Sequence, residues 1–126
     1  MMAWLVWFLA AAPVPAAVPA PFDVVPTLQQ YLRIDTQNPP GNELKSAQFL
    51  KAILDREGIE NEVVEVAPGR ACLWARLKGD GSQPGLILSH HMDVVQVERA
   101  RWSVDPFAAV IKDGYLYGRG TLDMKT

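Results

Sequence analysis

The sequence is poor in the side chains that most often bind transition metals, with one cysteine and two histidines among 126 residues. A single cysteine excludes an internal disulfide framework and a metal cluster made of several thiolates. Cys72 lies in the apolar run ACLW, and we expect it to be a buried structural thiol. The formal net charge is only −2, and charges of both signs are interspersed. The composition therefore indicates neither a nucleic-acid-binding surface nor binding to an anionic membrane surface.

The first twenty residues contain no charged side chain. Their apolar run, MMAWLVWFLAAA, is shorter than the roughly 20 residues that a membrane-spanning helix needs, so no stable membrane span is expected. Small residues follow at Val14-Pro15-Ala16, as in a secretory signal with its cleavage site. We predict that residues 1–20 are a signal peptide or N-terminal hydrophobic segment and that the protein is secreted or periplasmic. Because no Lys or Arg precedes the run, tethering to a membrane by an uncleaved N-terminus stays open.

The remaining chain alternates between helical and strand patterns. Helices are predicted at 27–35 and at about Glu43–Glu57, the second between an Asn42 N-cap and a Gly58 stop. Strands are predicted at 61–67, 71–79 and 85–91, followed by a hairpin over 109–120 with its turn at 112–114. The continuous apolar run at 85–91 is typical of a centrally buried strand. The pattern predicts an α/β fold with a mixed sheet flanked by helices.

Both histidines lie in the segment LILSHHMDVV, residues 86–95. Side chains two apart on an extended segment point the same way, so His91 and Asp93 share one face and His90 points to the other. A histidine that binds a metal usually has a carboxylate or carbonyl at its other ring nitrogen, and Asp93 suits that position. A His-x-Asp pattern alone does not establish a metal site.

A second segment, YGRGTLDMKT at 117–126, places Asp123 among small and apolar neighbours, where a carboxylate needs a cation or several donors. The residue could equally be a helix N-cap. The segment lacks the third glycine of a dinucleotide-binding loop and the upstream glycines of a phosphate-binding loop.

Taken together, SHHMDVVQV, RWSVDPFAAVIKDGYLY and GRGTLDMK resemble the co-catalytic zinc metallopeptidases and amidohydrolases. This family is typified by aminoacylase, carboxypeptidase S, acetylornithine deacetylase and succinyl-diaminopimelate desuccinylase. The segments RIDTQNPPGNE and VAPGRACLWARLKGDG are similar to its opening segments. Two positions depart from the family pattern: Gln96 replaces a usual proline, and Cys72 a common asparagine. The resemblance implies that residues 21–126 are the N-terminal portion of a zinc-dependent catalytic domain.

By this resemblance His91 ligates one zinc ion and Asp123 bridges two. Asp93 is then the catalytic carboxylate beside the metals, which orients His91, and His90 is a bystander. The family also implies a cis peptide bond between Asp123 and Met124. Zinc is the expected cofactor, two ions for a complete site, although cobalt or manganese can occupy similar sites.

The activity implied is hydrolysis of an amide or peptide bond by a metal-activated water, with a small peptide or an N-acyl amino acid as substrate. The resemblance leaves open whether the full-length protein is a homodimer. In the family, the general base and the remaining ligands follow the DMK motif, whereas this sequence stops at Thr126. We therefore expect an N-terminal fragment that is inactive alone. The alternative is a non-catalytic remnant or binding module that lacks the general base and most metal ligands.

Overall fold

The computed structural model describes residues 23–126. The predicted signal peptide lies outside the described residues, so this prediction is not tested. No helix within residues 23–126 has both the length and the apolar character required to cross a membrane.

Two helices and six short strands make up the described chain. In chain order they are α1 (Val24–Leu32), β1 (Gln37–Asn38), α2 (Glu43–Arg56), β2 (Glu60–Ala67), β3 (Arg70–Arg76), β4 (Val94–Val95), β5 (Val110–Lys112) and β6 (Tyr115–Tyr117), with a single 3-10 turn at Arg99–Arg101 between β4 and β5. The strands form three two-stranded sheets: β1 pairs with β4 in parallel, and β2–β3 and β5–β6 are antiparallel. The predicted mixed α/β class is confirmed, with the pairs distributed over three small sheets.

The core lies between α2, the β2–β3 hairpin and the end of α1. Its buried members are Tyr31, Ala47, Ala71 and Met92. Half-buried apolar side chains pack around them, among them Leu44, Phe49, Leu50, Val63 and Leu73. The apolar face of α2 is thus buried on the hairpin, as its helical spacing predicts.

Helix α1 begins three residues earlier than predicted. Asp23 accepts a hydrogen bond from the Val25 backbone N–H at 3.2 Å and so caps the helix. Pro26 is tolerated in the first turn because an N–H there has no partner within the helix. The predicted helix at 27–35 therefore lacks the first turn that the structure shows.

The strand predicted at 85–91 is wrong, since no strand pairing occurs there. Leu86, Ile87 and Leu88 are 83–89% exposed. A strand forms only where its backbone groups pair with a neighbour, and β3 pairs with β2 alone among the described residues.

The burial predicted for Cys72 is also wrong. In β3 Ala71 is buried and Leu73 half-buried, while Cys72 lies on the opposite, exposed face.

Candidate metal centre

The β1–β4 pair positions the first part of the site. Gln37 and Asn38 lie opposite Val94 and Val95 in parallel register. The buried Thr36 hydroxyl donates a hydrogen bond to the Met92 carbonyl oxygen at 2.7 Å. Because Met92 and Val94 are buried, the alternation along the chain leaves the side chains of His91 and Asp93 on the open face.

The loop after β6 positions the second part. Gly120 adopts a φ of +89°, and a Cβ there would lie 2.7 Å from Val94 Cγ1. Only glycine tolerates both the positive φ and this close approach. The Lys125 backbone N–H closes the loop onto the Gly120 carbonyl oxygen at 2.8 Å. This turn brings Asp123 to the extended segment that precedes β4 and carries His91.

The Lys125 ammonium fastens the same loop to the end of α1. It donates hydrogen bonds to the carbonyl oxygens of Ile34 at 2.7 Å and Tyr31 at 3.3 Å, and lies 4.9 Å from the Tyr31 ring centroid. Burial lowers the pKa of Lys125 to about 8. Sequence analysis missed this contact, since nothing in the DMK motif reveals that its lysine reaches back to α1.

His91 lies between two carboxylates. Its Nε2 is 3.1 Å from Asp123 Oδ1, while its Nδ1 is 3.0 Å from the Asp93 carbonyl oxygen and 3.2 Å from Asp93 Oδ1. The hydrogen bond with Asp123, followed by that with the Asp93 backbone, raises the pKa of His91. A proton or a metal cation at Nε2 is favoured by this arrangement, and the two compete for the same position.

The spacing of His91 and Asp123 suits two ligands of one ion. Donor atoms about 2.0–2.1 Å from a tetrahedral zinc ion are roughly 3.3 Å apart, close to the 3.1 Å between Nε2 and Oδ1. Within residues 23–126, no group of three or more His, Cys, Asp and Glu side chains is arranged to hold an ion. The donors present therefore fit part of a metal site. The Asp123 side chain is 89% exposed, so its carboxylate is accessible to a metal ion and to further ligands.

The structure does not bring His90 to this pair. Its Nδ1 contacts the His91 carbonyl oxygen at 3.2 Å. His90 lines a cavity of about 330 Å³ between α1 and α2, and also a cleft of about 450 Å³ that includes His91 and Asp93 but not Asp123. His91, Asp93 and Asp123 instead share a cleft of about 520 Å³ with Trp102 and the β5–β6 hairpin.

The implied cis bond at Asp123–Met124 is wrong: among the described residues the cis bonds are Asn38–Pro39 and Pro39–Pro40.

Asn38 is a polar neighbour of the site that sequence analysis did not single out. Its Nδ2 donates a hydrogen bond to Asp93 Oδ2 at 3.1 Å. This bond is the main cause of the lowered pKa of Asp93. The segment TQNPPG contained the residue, but its distance of more than fifty residues from Asp93 hid the contact.

Comparison with known proteins gives a consistent match. Residues 87–126 match the model of peptidase family M20/M25/M40. The chain is 38% identical over 104 residues to a probable succinyl-diaminopimelate desuccinylase of Staphylococcus epidermidis, covering 82% of this chain and 25% of that protein. It is 39% identical over 105 residues to aminoacylase-1 of Sus scrofa, covering 80% and 25%. The chain thus spans about a quarter of the length of these relatives.

Proposed function

Because the chain belongs to peptidase family M20/M25/M40, we propose that it forms the N-terminal part of a metal-dependent hydrolase that cleaves amide or peptide bonds. The observation that carries this proposal is the contact of His91 Nε2 with Asp123 Oδ1 at 3.1 Å, beside a His91 Nδ1 held by Asp93. His91 and Asp123 are 32 residues apart in the sequence, and their donor atoms are close enough to bind the same metal ion.

In this proposal each of the three residues has its own task. His91 would hold a zinc ion through Nε2, and the exposed carboxylate of Asp123 would be shared between this ion and a second one. Asp93 accepts a hydrogen bond from the Nδ1–H of His91, which fixes the tautomer whose Nε2 can bind a metal ion. When bound, zinc supplies a lowered pKa for a coordinated water and polarisation of the scissile carbonyl. The described residues offer two ligands, so the complete enzyme must supply the others and the general base.

The proposed substrate is a small peptide or an N-acyl amino acid. Two of the relatives are named a desuccinylase and an aminoacylase, and the candidate pair lines an open cleft that Trp102, Tyr115 and Tyr117 also line. These side chains offer apolar contact to a substrate whose scissile amide lies at the pair.

The count of ligands also favours a second candidate, a non-catalytic binding module. Among the described residues His91 and Asp123 face each other without a third ligand side chain beside them. A module of this kind would fold and bind a partner while neither holding zinc tightly nor hydrolysing amides. Measured zinc content and turnover of the full-length protein separate the two candidates.

We expect His91→Ala in the full-length protein to abolish most zinc-dependent hydrolysis of N-acyl amino acids, because a direct ligand is lost. His90→Ala is the matched control and should retain zinc content and turnover. Asp93→Asn should lower zinc affinity about 10–100-fold, the usual cost of removing a partner that orients a metal-binding histidine. Zinc content by atomic absorption and turnover before and after chelation measure these effects.

Two outcomes would contradict the proposal. Equal zinc loss in the His90 and His91 variants would overturn the ligand assignment. Hydrolysis that persists after complete chelation would overturn the metal-dependent mechanism.

A further inference from the structure

A line of polar contacts runs from helix α2 to the candidate metal pair. Arg70 Nε lies 2.7 Å from Glu43 Oε2, and Arg70 Nη1 lies 3.5 Å from Asn38 Oδ1. Asn38 Nδ2 then donates to Asp93 Oδ2 at 3.1 Å, and Asp93 Oδ1 lies 3.2 Å from His91 Nδ1. Each oxygen of Asp93 therefore has a different partner.

The charges at either end fix the direction of the Asn38 amide. An arginine can only donate, so it selects Oδ1, and an ionised carboxylate can only accept, so it selects Nδ2. A flipped amide would place NH₂ against the guanidinium and the carbonyl against the carboxylate. The side chain consequently has one favourable orientation, in which it presents an N–H donor to Asp93.

The arginine at the far end is itself held in place. The Glu43 side chain is 7% exposed. Among the described residues neither of its carboxylate oxygens has a hydrogen-bond partner, so the nearby positive charge of Arg70 only partly offsets the cost of burying the carboxylate. Gly41 leaves the room for this pair, since a Cβ there would lie 2.6 Å from both Arg70 Cδ and Nε. Asn38 lies on β1, whose pairing with β4 sets the distance to Asp93.

We propose that Asn38 is a positioning residue: its amide turns the Asp93 carboxylate so that Oδ1 faces Nδ1 of His91. The role rests on the proposed function, because His91 needs its Nδ1 proton held in order to present Nε2 to a metal. Among the described residues the Asn38 side chain forms hydrogen bonds with Asp93 and Arg70 but not with His91 or Asp123, so it acts on His91 through Asp93. The hydrogen bond at His91 Nδ1 can be observed without metal or substrate, which separates this proposal from the hydrolase proposal.

The test is ¹H–¹⁵N NMR of the 126-residue chain labelled at histidine, with no metal added. Only two histidines contribute signals, and His90→Gln assigns them. Asp93→Ala provides the reference position of the His91 Nδ1–H resonance when only the backbone carbonyl accepts. Asn38→Asp has nearly the same shape as asparagine but loses the donor, so the resonance should move upfield toward this reference and broaden through exchange.

Gln37→Glu is the matched control. It makes the same amide-to-carboxylate change on the neighbouring residue of β1, where the side-chain NH₂ contacts the exposed Asp35. This variant should leave the His91 resonance in place, and backbone amide spectra report whether each variant folds. Asn38→Ala, which removes the donor without adding charge, should shift the resonance in the same direction as Asn38→Asp.

Three results would overturn the proposal. One is an unchanged resonance in both folded Asn38 variants; another is a shift in Gln37→Glu as large as that in Asn38→Asp. The third is a resonance that does not respond to Asp93→Ala, because Asp93 would then not be the partner through which Asn38 acts.

Discussion

Tyr31 combines a well-packed ring with an unsatisfied hydroxyl. The residue is 4% exposed, its ring stacks on Phe49 at 5.9 Å between centroids, and Lys125 lies over the same ring. Among residues 23–126 the hydroxyl has no hydrogen-bond partner. Leaving a buried polar group unpaired costs about 1–3 kcal/mol. Tyr31 therefore stabilises the core through its ring alone.

We expect Tyr31→Phe to leave the fold intact and to be neutral or stabilising at neutral pH, because it removes only the unpaired hydroxyl. The substitution should also reduce the loss of unfolding free energy at alkaline pH. Burial raises the pKa of Tyr31 to about 12 from 10.0, so between these values the folded state binds more protons than the unfolded state. Stability contributed by the neutral phenol is full below pH 10 and is lost as the pH rises toward 12, by on the order of 2–3 kcal/mol.

Urea denaturation of the parent chain and of Tyr31→Phe at pH 9 and pH 11 measures this difference. Every other titratable group is the same in both proteins, so the difference between the two curves isolates Tyr31. Equal losses of unfolding free energy in the two proteins would contradict the prediction.

At the scale of single residues, the sequence predicted that the side chains of His91 and Asp93 lie on one face, because alternation along an extended segment is a local property. It did not predict the amide of Asn38, since that contact depends on the parallel register of β1 with β4. The roles of His91, Asp93 and Asp123 stay predictions until zinc binding is measured. What the structure adds is that their side chains meet.

At the scale of elements, local signals predicted more than long-range pairing did. The hairpin turn at Asp113-Gly114 was predicted correctly, and both residues have positive φ, 52° and 81°, as a type I′ turn requires. The bounds of helix α2 were likewise predicted within a residue or two, since helical spacing is local. The predicted side-chain cap is absent, because the Asn42 amide donates to the Asp35 carbonyl oxygen at 3.2 Å. The strand prediction at 85–91 was wrong because a strand also needs a pairing partner, which the composition of the segment does not reveal.

The loop with Asp123 depends on Gly120 in two ways, positive φ and close contact. We expect Gly120→Ala to destabilise the chain by about 1–3 kcal/mol from backbone strain and by a further amount from the clash with the buried Val94 side chain. Gly81→Ala is the matched control, since Gly81 has a φ of +81° with open space around a Cβ. It carries the strain without the clash.

Unfolding free energies of the two glycine variants measure the separate contributions. If Gly120→Ala costs no more than Gly81→Ala, the close packing of the loop on β4 does not contribute to stability. A larger loss at Gly120 should be accompanied by faster hydrogen exchange at the amides of residues 118–125.

At the scale of the whole molecule, a few long-range hydrogen bonds connect elements that are distant in the sequence. Gln29 Nε2 donates to the Ala109 carbonyl oxygen at 2.8 Å, which connects α1 to the approach to β5. Lys125 connects the loop of Asp123 to the end of α1 across more than ninety residues. Helix α1 therefore supports both the hairpin and the candidate site.

We expect Lys125→Met to loosen this connection while the β2–β3 hairpin stays folded. Methionine fills a similar volume but cannot donate, so the Tyr31 and Ile34 carbonyl oxygens lose their ammonium partner, at a cost of about 1–3 kcal/mol. Hydrogen exchange by mass spectrometry should show faster exchange in residues 118–126 and at the end of α1, with unchanged protection in β2 and β3. Lys112→Met, an exposed change at the β5–β6 turn, is the control and should alter neither region. Uniformly faster exchange across the chain would contradict the prediction, because the tie would then stabilise the fold as a whole rather than the position of Asp123.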